Sequence, residues 1–140
     1  MIISSAGPIE IQTESMKEIA ARMMKENVIS IEPMEGGRNS QIYRLMGSNS
    51  RVYALKAYFR HPSDHFDRLQ REFSSLCFLW KNGVRNIPRP LMADWEEGCA
   101  LYEYIDGQKI VSEEIADGEI DDAVLFLARL RDLRGRTGSY

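Results

Sequence analysis

The stretch Arg51-Val52-Tyr53-Ala54-Leu55-Lys56-Ala57-Tyr58-Phe59 decides how this chain folds. Alternation along a strand puts Val52, Ala54, Lys56 and Tyr58 on one face and Tyr53, Leu55, Ala57 and Phe59 on the other. Both faces are largely apolar, so the strand is expected to be covered on both sides, with Lys56 a lone charge in its middle. An ammonium in that position either reaches water from a sheet edge or requires a partner.

A partner lies downstream. Phe66, Leu69, Phe73, Leu76 and Trp80 recur at helical spacing, in a stripe widened by Cys77 and Leu79. At about 100° per residue, Glu72 projects between Leu76 and Leu79, whereas Asp67, Arg68, Arg71 and Lys81 point outside that arc. Glu72 is the only charge on the packing face. His61-Pro62-Ser63-Asp64 offers a proline and capping side chains ahead of the helix, and Asn82-Gly83 a stop. A helix carboxylate and a strand ammonium can satisfy one another. Such a buried pair is often no more stabilising than apolar residues of similar volume, which tilts the reading toward function.

Upstream, the turn Gly36-Gly37-Arg38-Asn39-Ser40 joins strands expected at residues 28–31 and 41–46, and Gly47-Ser48-Asn49-Ser50 leads into the third. A glycine pair lets the backbone approach a ligand and aim amides at phosphate oxygens, although it also serves as a plain hairpin turn. Met16, Ile19, Ala20, Met23 and Met24 predict a helix over residues 14–27, with Ser15 and Glu18 as a capping box. After Ile87-Pro88-Arg89-Pro90, strands are expected at residues 91–95 and 99–105, separated by Glu96-Glu97-Gly98. The fold class is therefore α+β: a five-stranded antiparallel sheet with one helix inserted after the third strand, flanked by an N-terminal and a C-terminal helix. The last segment runs from acidic residues 113–122 to Arg129, Arg131, Arg134 and Arg136, complementing a helix dipole with solvated ends.

The chain has 140 residues, enough for one core, and its 44% hydrophobic and 28% charged composition is that of a folded domain. A net charge of −3 offers no electrostatic footprint for nucleic acid. No window resembles a membrane span or a signal sequence, so membrane association is not expected and a cytoplasmic location is the default. Cys77 and Cys99 make no disulfide framework. His61 and His65 have helical i, i+4 spacing, but Pro62 lies between them, so capping or solvated histidines are favoured over a metal site.

The order Gly36-Gly37 with Ile42-Tyr43-Arg44-Leu45, then Ala54-Leu55-Lys56, Arg71-Glu72-Phe73, Ile87-Pro88-Arg89-Pro90 and Leu101-Tyr102-Glu103-Tyr104-Ile105-Asp106-Gly107 resembles the amino-terminal lobe of the aminoglycoside phosphotransferase and choline kinase family, which has the protein-kinase-like fold. The resemblance covers residues 28–133. It implies an ATP-binding or GTP-binding lobe in which Glu72 orients Lys56 on the nucleotide phosphates and Gly36, Gly37, Asn39 and Ser40 form the phosphate loop. Ala54 would let adenine lie against the sheet, Tyr102 would sit behind it, and the Glu103 carbonyl and Ile105 amide would bond its edge at the hinge. The loop departs from the family in having Asn39 then Ser40 where a small hydroxyl residue followed by asparagine is usual.

The resemblance further implies a catalytic aspartate and magnesium ligands in a carboxy-terminal lobe. His65-Phe66-Asp67 has the His-x-Asp spacing but precedes Glu72, and Arg71 rather than asparagine stands four residues after Asp67. No catalytic residue and no metal ligand is therefore expected in this chain, and Mg only in a full-length enzyme. The expected organisation is an N-terminal helical segment at 1–27, the nucleotide-binding lobe and hinge at 28–107, and the truncated start of a second lobe at 108–140. Expected partners are a nucleotide and either the missing C-terminal lobe or a second copy in a homodimer. Two other readings stay open: a stand-alone, non-catalytic binding or dimerisation module with the same lobe, and an unrelated α+β domain in which Lys56 and Glu72 are only structural. The phosphoryl acceptor is not legible.

Overall fold

The computed structural model describes residues 7–108 and 110–136. In chain order it contains α1 (Pro8–Met24), β1 (Val28–Pro33), β2 (Ser40–Gly47), β3 (Val52–Tyr58), α2 (Arg68–Lys81), β4 (Pro90–Asp94), β5 (Cys99–Glu103), a 3-10 turn (Ser112–Glu114) and α3 (Asp117–Leu133). The fold is the expected α+β class, an antiparallel sheet of order β1-β2-β3-β5-β4 with α2 inserted after β3. The chain divides into one compact unit ending at Ile105 and a second beginning at Asp106.

Within the first unit β3 is the central strand. Lys56 faces Ile42 of β2 on one side and Ala100 of β5 on the other, so it is not the edge lysine that its sequence context also allowed. The alternation of β3 sorts its residues between two cores. Leu55 joins Tyr43, Leu45, Cys99 and Leu101 against Met16 and Ala20 of α1. Tyr58 joins Ala100 and Tyr102 against Leu69 of α2, flanked by Phe73 and Leu76. The sheet is thus covered by a helix on each face, as a strand apolar on both sides requires.

Two helix starts differ from expectation. α1 extends back to Pro8, so Ser15 lies inside the helix and caps nothing. Proline suits the first helical position because the amide it lacks would be unpaired there. Lys25, at φ 54°, then takes the left-handed turn that leads into β1. α2 starts at Arg68, later than the proline cluster suggests, because the Asp67 side chain accepts the Gln70 N–H at 3.0 Å and acts as N-cap. Asp64 instead accepts Arg68 Nη2 at 3.0 Å. Phe66 consequently stands outside the helix and is 40% exposed, and Cys77 is exposed as well, so the buried stripe narrows to Leu69, Phe73 and Leu76.

The second unit holds α3, whose first turn carries Asp117 and Glu119 and whose last turn carries Arg131. The Glu119 carboxylate accepts the Ala116 N–H at 2.9 Å, satisfying one of the open donors at the helix start.

Candidate functional site

The site grows from the face of β3 that looks toward α2. Lys56 Nζ donates to both carboxylate oxygens of Glu72, at 2.7 and 2.9 Å. The two side chains are 23% and 38% exposed, so the pair is neither sealed in the core nor free in solvent, and a ligand can reach it. Lys56 Nζ also lies 5.1 Å from the centroid of the Tyr58 ring. The Tyr58 hydroxyl lies 2.8 Å from that of Tyr102, and Tyr102 packs on Phe73 with ring centroids 6.1 Å apart. Burial pushes both phenols well above their ordinary value; for Tyr58 the bond to Tyr102 and the nearby Glu72 charge push further in the same direction.

A cavity of about 510 Å³ opens beside this pair. One wall is the loop and strand start Gly37, Arg38, Asn39 and Ser40; Lys56 and Tyr58 come from β3. Phe66 and four α2 residues, Arg68, Arg71, Glu72 and Ser75, complete the lining. The loop is held at both ends: Met34 N–H donates to the Ile42 carbonyl at 2.8 Å, and Phe59 N–H to the Asn39 carbonyl at 2.9 Å. Gln41 Nε2 braces it by donating to the Met34 carbonyl at 2.7 Å. A Cβ at Gly36 would come within 2.8 Å of the Gln41 side-chain oxygen, so the first glycine makes room for the brace. A Cβ at Gly37 would meet nothing within 4 Å, and Gly37 is the one that lines the cavity.

Of the ten residues expected at the site, Gly37, Asn39, Ser40, Lys56 and Glu72 line this cavity, while Gly36, Ala54, Tyr102, Glu103 and Ile105 do not. Ala54 faces Tyr102 across the β3–β5 ladder, and Tyr102 is only 4% exposed. Glu103 is exposed and its N–H is bonded to the Arg89 carbonyl at 3.0 Å. Ile105 is exposed too. Sequence reasoning missed Arg38, Tyr58, Phe66, Arg68, Arg71 and Ser75 as lining. Arg68 and Arg71 lie three residues apart and so share a helix edge, a signal that reads equally well as a solvated flank.

No group of three His, Cys, Asp or Glu residues is placed to hold a metal ion among the described residues. Nor is any described helix long and apolar enough to cross a membrane.

The profile of the phosphotransferase enzyme family matches residues 30–139. No curated protein matches the chain significantly. Among solved structures, a Rio2 kinase from Chaetomium thermophilum, in a complex with ADP, Mg2+ and phosphoaspartate, superposes with a TM-score of 0.58 at 17% identity, covering 86% of this chain. At that identity the likeness establishes a shared fold. A candidate fructosamine-3-kinase from Thermobifida fusca gives a TM-score of 0.49 at 18% identity over 69% of this chain. The matched regions span 41% and 33% of those two proteins, respectively.

Proposed function

Because the chain belongs to the phosphotransferase enzyme family, we propose that it is the ATP-binding lobe of a small-molecule kinase, with Lys56, oriented by Glu72, as the group that takes the nucleotide phosphates. One observation carries the reading: a two-oxygen Lys–Glu pair, reachable by solvent, in a cavity that the glycine loop also lines. The cavity lies within the roughly 300–1,000 Å³ usual for small-molecule sites. Its lining holds four cationic side chains and one carboxylate, a donor set that fits a polyphosphate. Bound ATP supplies the phosphoryl group for transfer.

In this reading Gly37, Asn39 and Ser40 contact the phosphates and Gly36 keeps the loop braced. The base, adenine or guanine, lies against Ala54 with Tyr102 behind it, bonded by the Glu103 carbonyl and the Ile105 amide. Residues 28–107 form the lobe and hinge, residues 1–27 a helical segment ahead of it, and residues 108–140 the start of a second lobe. The described residues offer no group of three metal-ligating side chains that fits magnesium. The catalytic aspartate and metal ligands belong to the second lobe, and this chain binds nucleotide without transferring phosphate.

Calorimetric titration of the chain with ATP tests the reading. Binding weakened about tenfold or more by Lys56→Met is the expected result for loss of a charge-assisted phosphate contact. Equal affinity in the variant would sink it, as would transfer of phosphate by the unmodified chain for its last clause. The exposed Ile120, Val124, Leu125 and Leu127 of α3 favour a second reading, a self-associating module without catalysis, which concentration-dependent sedimentation would distinguish.

A further inference from the structure

We propose that the cavity reads polyphosphate without reading the base, with Arg71 and Arg38 as a second oxyanion site beside Lys56; this rests on the nucleotide reading above and narrows it to the phosphates. None of the base-side residues Ala54, Tyr102, Glu103 and Ile105 lines the cavity. Among the residues that do line it are four cations and one carboxylate. Glu72 is taken up by Lys56, and Arg68 is bonded to Asp64. Arg38 and Arg71 have no carboxylate partner among the described residues. The chain as a whole is acidic, at −3, so an excess of guanidinium groups here is a local arrangement and not a reflection of composition.

Two of the guanidinium groups on α2, Arg71 among them, also lie against an aromatic ring. Arg71 Cζ lies 4.1 Å and Arg68 Cζ 5.1 Å from the centroid of Phe66, the aromatic ring displaced from the α2 stripe by the late helix start. A ring beside a guanidinium takes no N–H donor from it, and a guanidinium grips a phosphate through two parallel bonds. Lys56 offers a compact charge for one phosphate, and the arginines offer forked donors for a neighbouring one. The ligand class is a linear chain of two or more phosphates. The base contacts of the nucleotide reading lie outside this cavity, so the phosphates supply most of the affinity and ATP and GTP bind alike.

The probe is inorganic tripolyphosphate, titrated in competition with ATP without added metal. It is expected to displace ATP with a dissociation constant within about tenfold of ATP's own, and to lose affinity with salt as a charge-driven ligand does. Arg71→Gln should weaken tripolyphosphate and ATP together by about tenfold, as loss of a charged hydrogen bond does. Arg71 is exposed, so the melting temperature should be unchanged. Arg38→Gln, in the loop that lines the cavity, gives an independent second variant with the same expected direction. ATP binding that tripolyphosphate cannot displace would overturn the proposal while leaving the nucleotide reading intact, and so would full affinity in both arginine variants. Tripolyphosphate binding without ATP binding would support the oxyanion site and remove the nucleotide reading instead.

Discussion

The hydroxyls of Tyr58 and Tyr102 meet at 2.8 Å between neighbouring strands β3 and β5, and the Tyr58 ring lies 5.1 Å from the Lys56 ammonium. They are polar atoms in a largely apolar cluster with Leu69 and Ala100, and each satisfies the other. The ring of Tyr58 in turn backs the Lys56 ammonium. The pair thus couples the packing of α2 on the sheet to the position of the lysine.

Removing one hydroxyl should therefore cost more than removing both. Tyr58→Phe leaves the Tyr102 hydroxyl buried without a partner and is expected to destabilise by about 1–3 kcal/mol, whereas Tyr58→Phe with Tyr102→Phe should recover most of the loss. Urea denaturation of the two singles and the double decides it, and additive losses would mean that the bond is not an energetic unit.

Alkaline pH should expose the same pair. Both phenols are raised in the folded state by burial, so they stay protonated where unfolded tyrosine, near pH 10, ionises. For a raised folded pKa the stabilisation is fully present below the unfolded value and is lost as pH climbs above it. Melting temperature should fall above about pH 10, with phenolate absorbance of the two residues emerging only on unfolding. Full titration of every tyrosine in the folded protein would contradict this.

The Lys56–Glu72 pair should matter more for binding than for stability. Glu72→Gln leaves the ammonium without its carboxylate at a half-exposed site and is expected to cost about 1–2 kcal/mol, between surface and buried pairs. Lys56→Met with Glu72→Leu should return stability to near that of the parent protein. A double variant much less stable than either single would make the pair a structural requirement.

The two thiols should separate by reactivity. Cys99 is buried and its pKa is pushed up to about 12 by burial first and then by the Asp94 and Glu97 charges; Cys77 is exposed on α2, with its thiol raised by partial burial. A disulfide reagent should titrate Cys77 alone in the folded protein and reach Cys99 only on unfolding. Prompt labelling of both would mean that the sheet core opens.

Strand order along the chain, the inserted helix and the pairing of Lys56 with Glu72 were legible because they follow from local periodicity. A period of two places Lys56 among Ala54 and Tyr58, and a period near 3.6 singles out Glu72. Helix starts were less legible, because a cap depends on which of several Asp and Ser side chains reaches an open amide. Asp64 and Asp67 are equally good cap residues by type, and only Asp67 accepts from Gln70.

The sequence by itself determined the α+β class, the two-faced burial of β3 and the Lys56–Glu72 pair, since each depends on the spacing of side chains along one element or two neighbouring ones. Only the tertiary structure decided that β3 is central, that Phe66 leaves the core to lie against Arg68 and Arg71, and that Arg38 lines the same cavity. The place of β3 and the approach of Arg38 depend on how strands, loop and helix come together at sequence separations that no periodicity spans, and that of Phe66 on which neighbouring side chain caps α2.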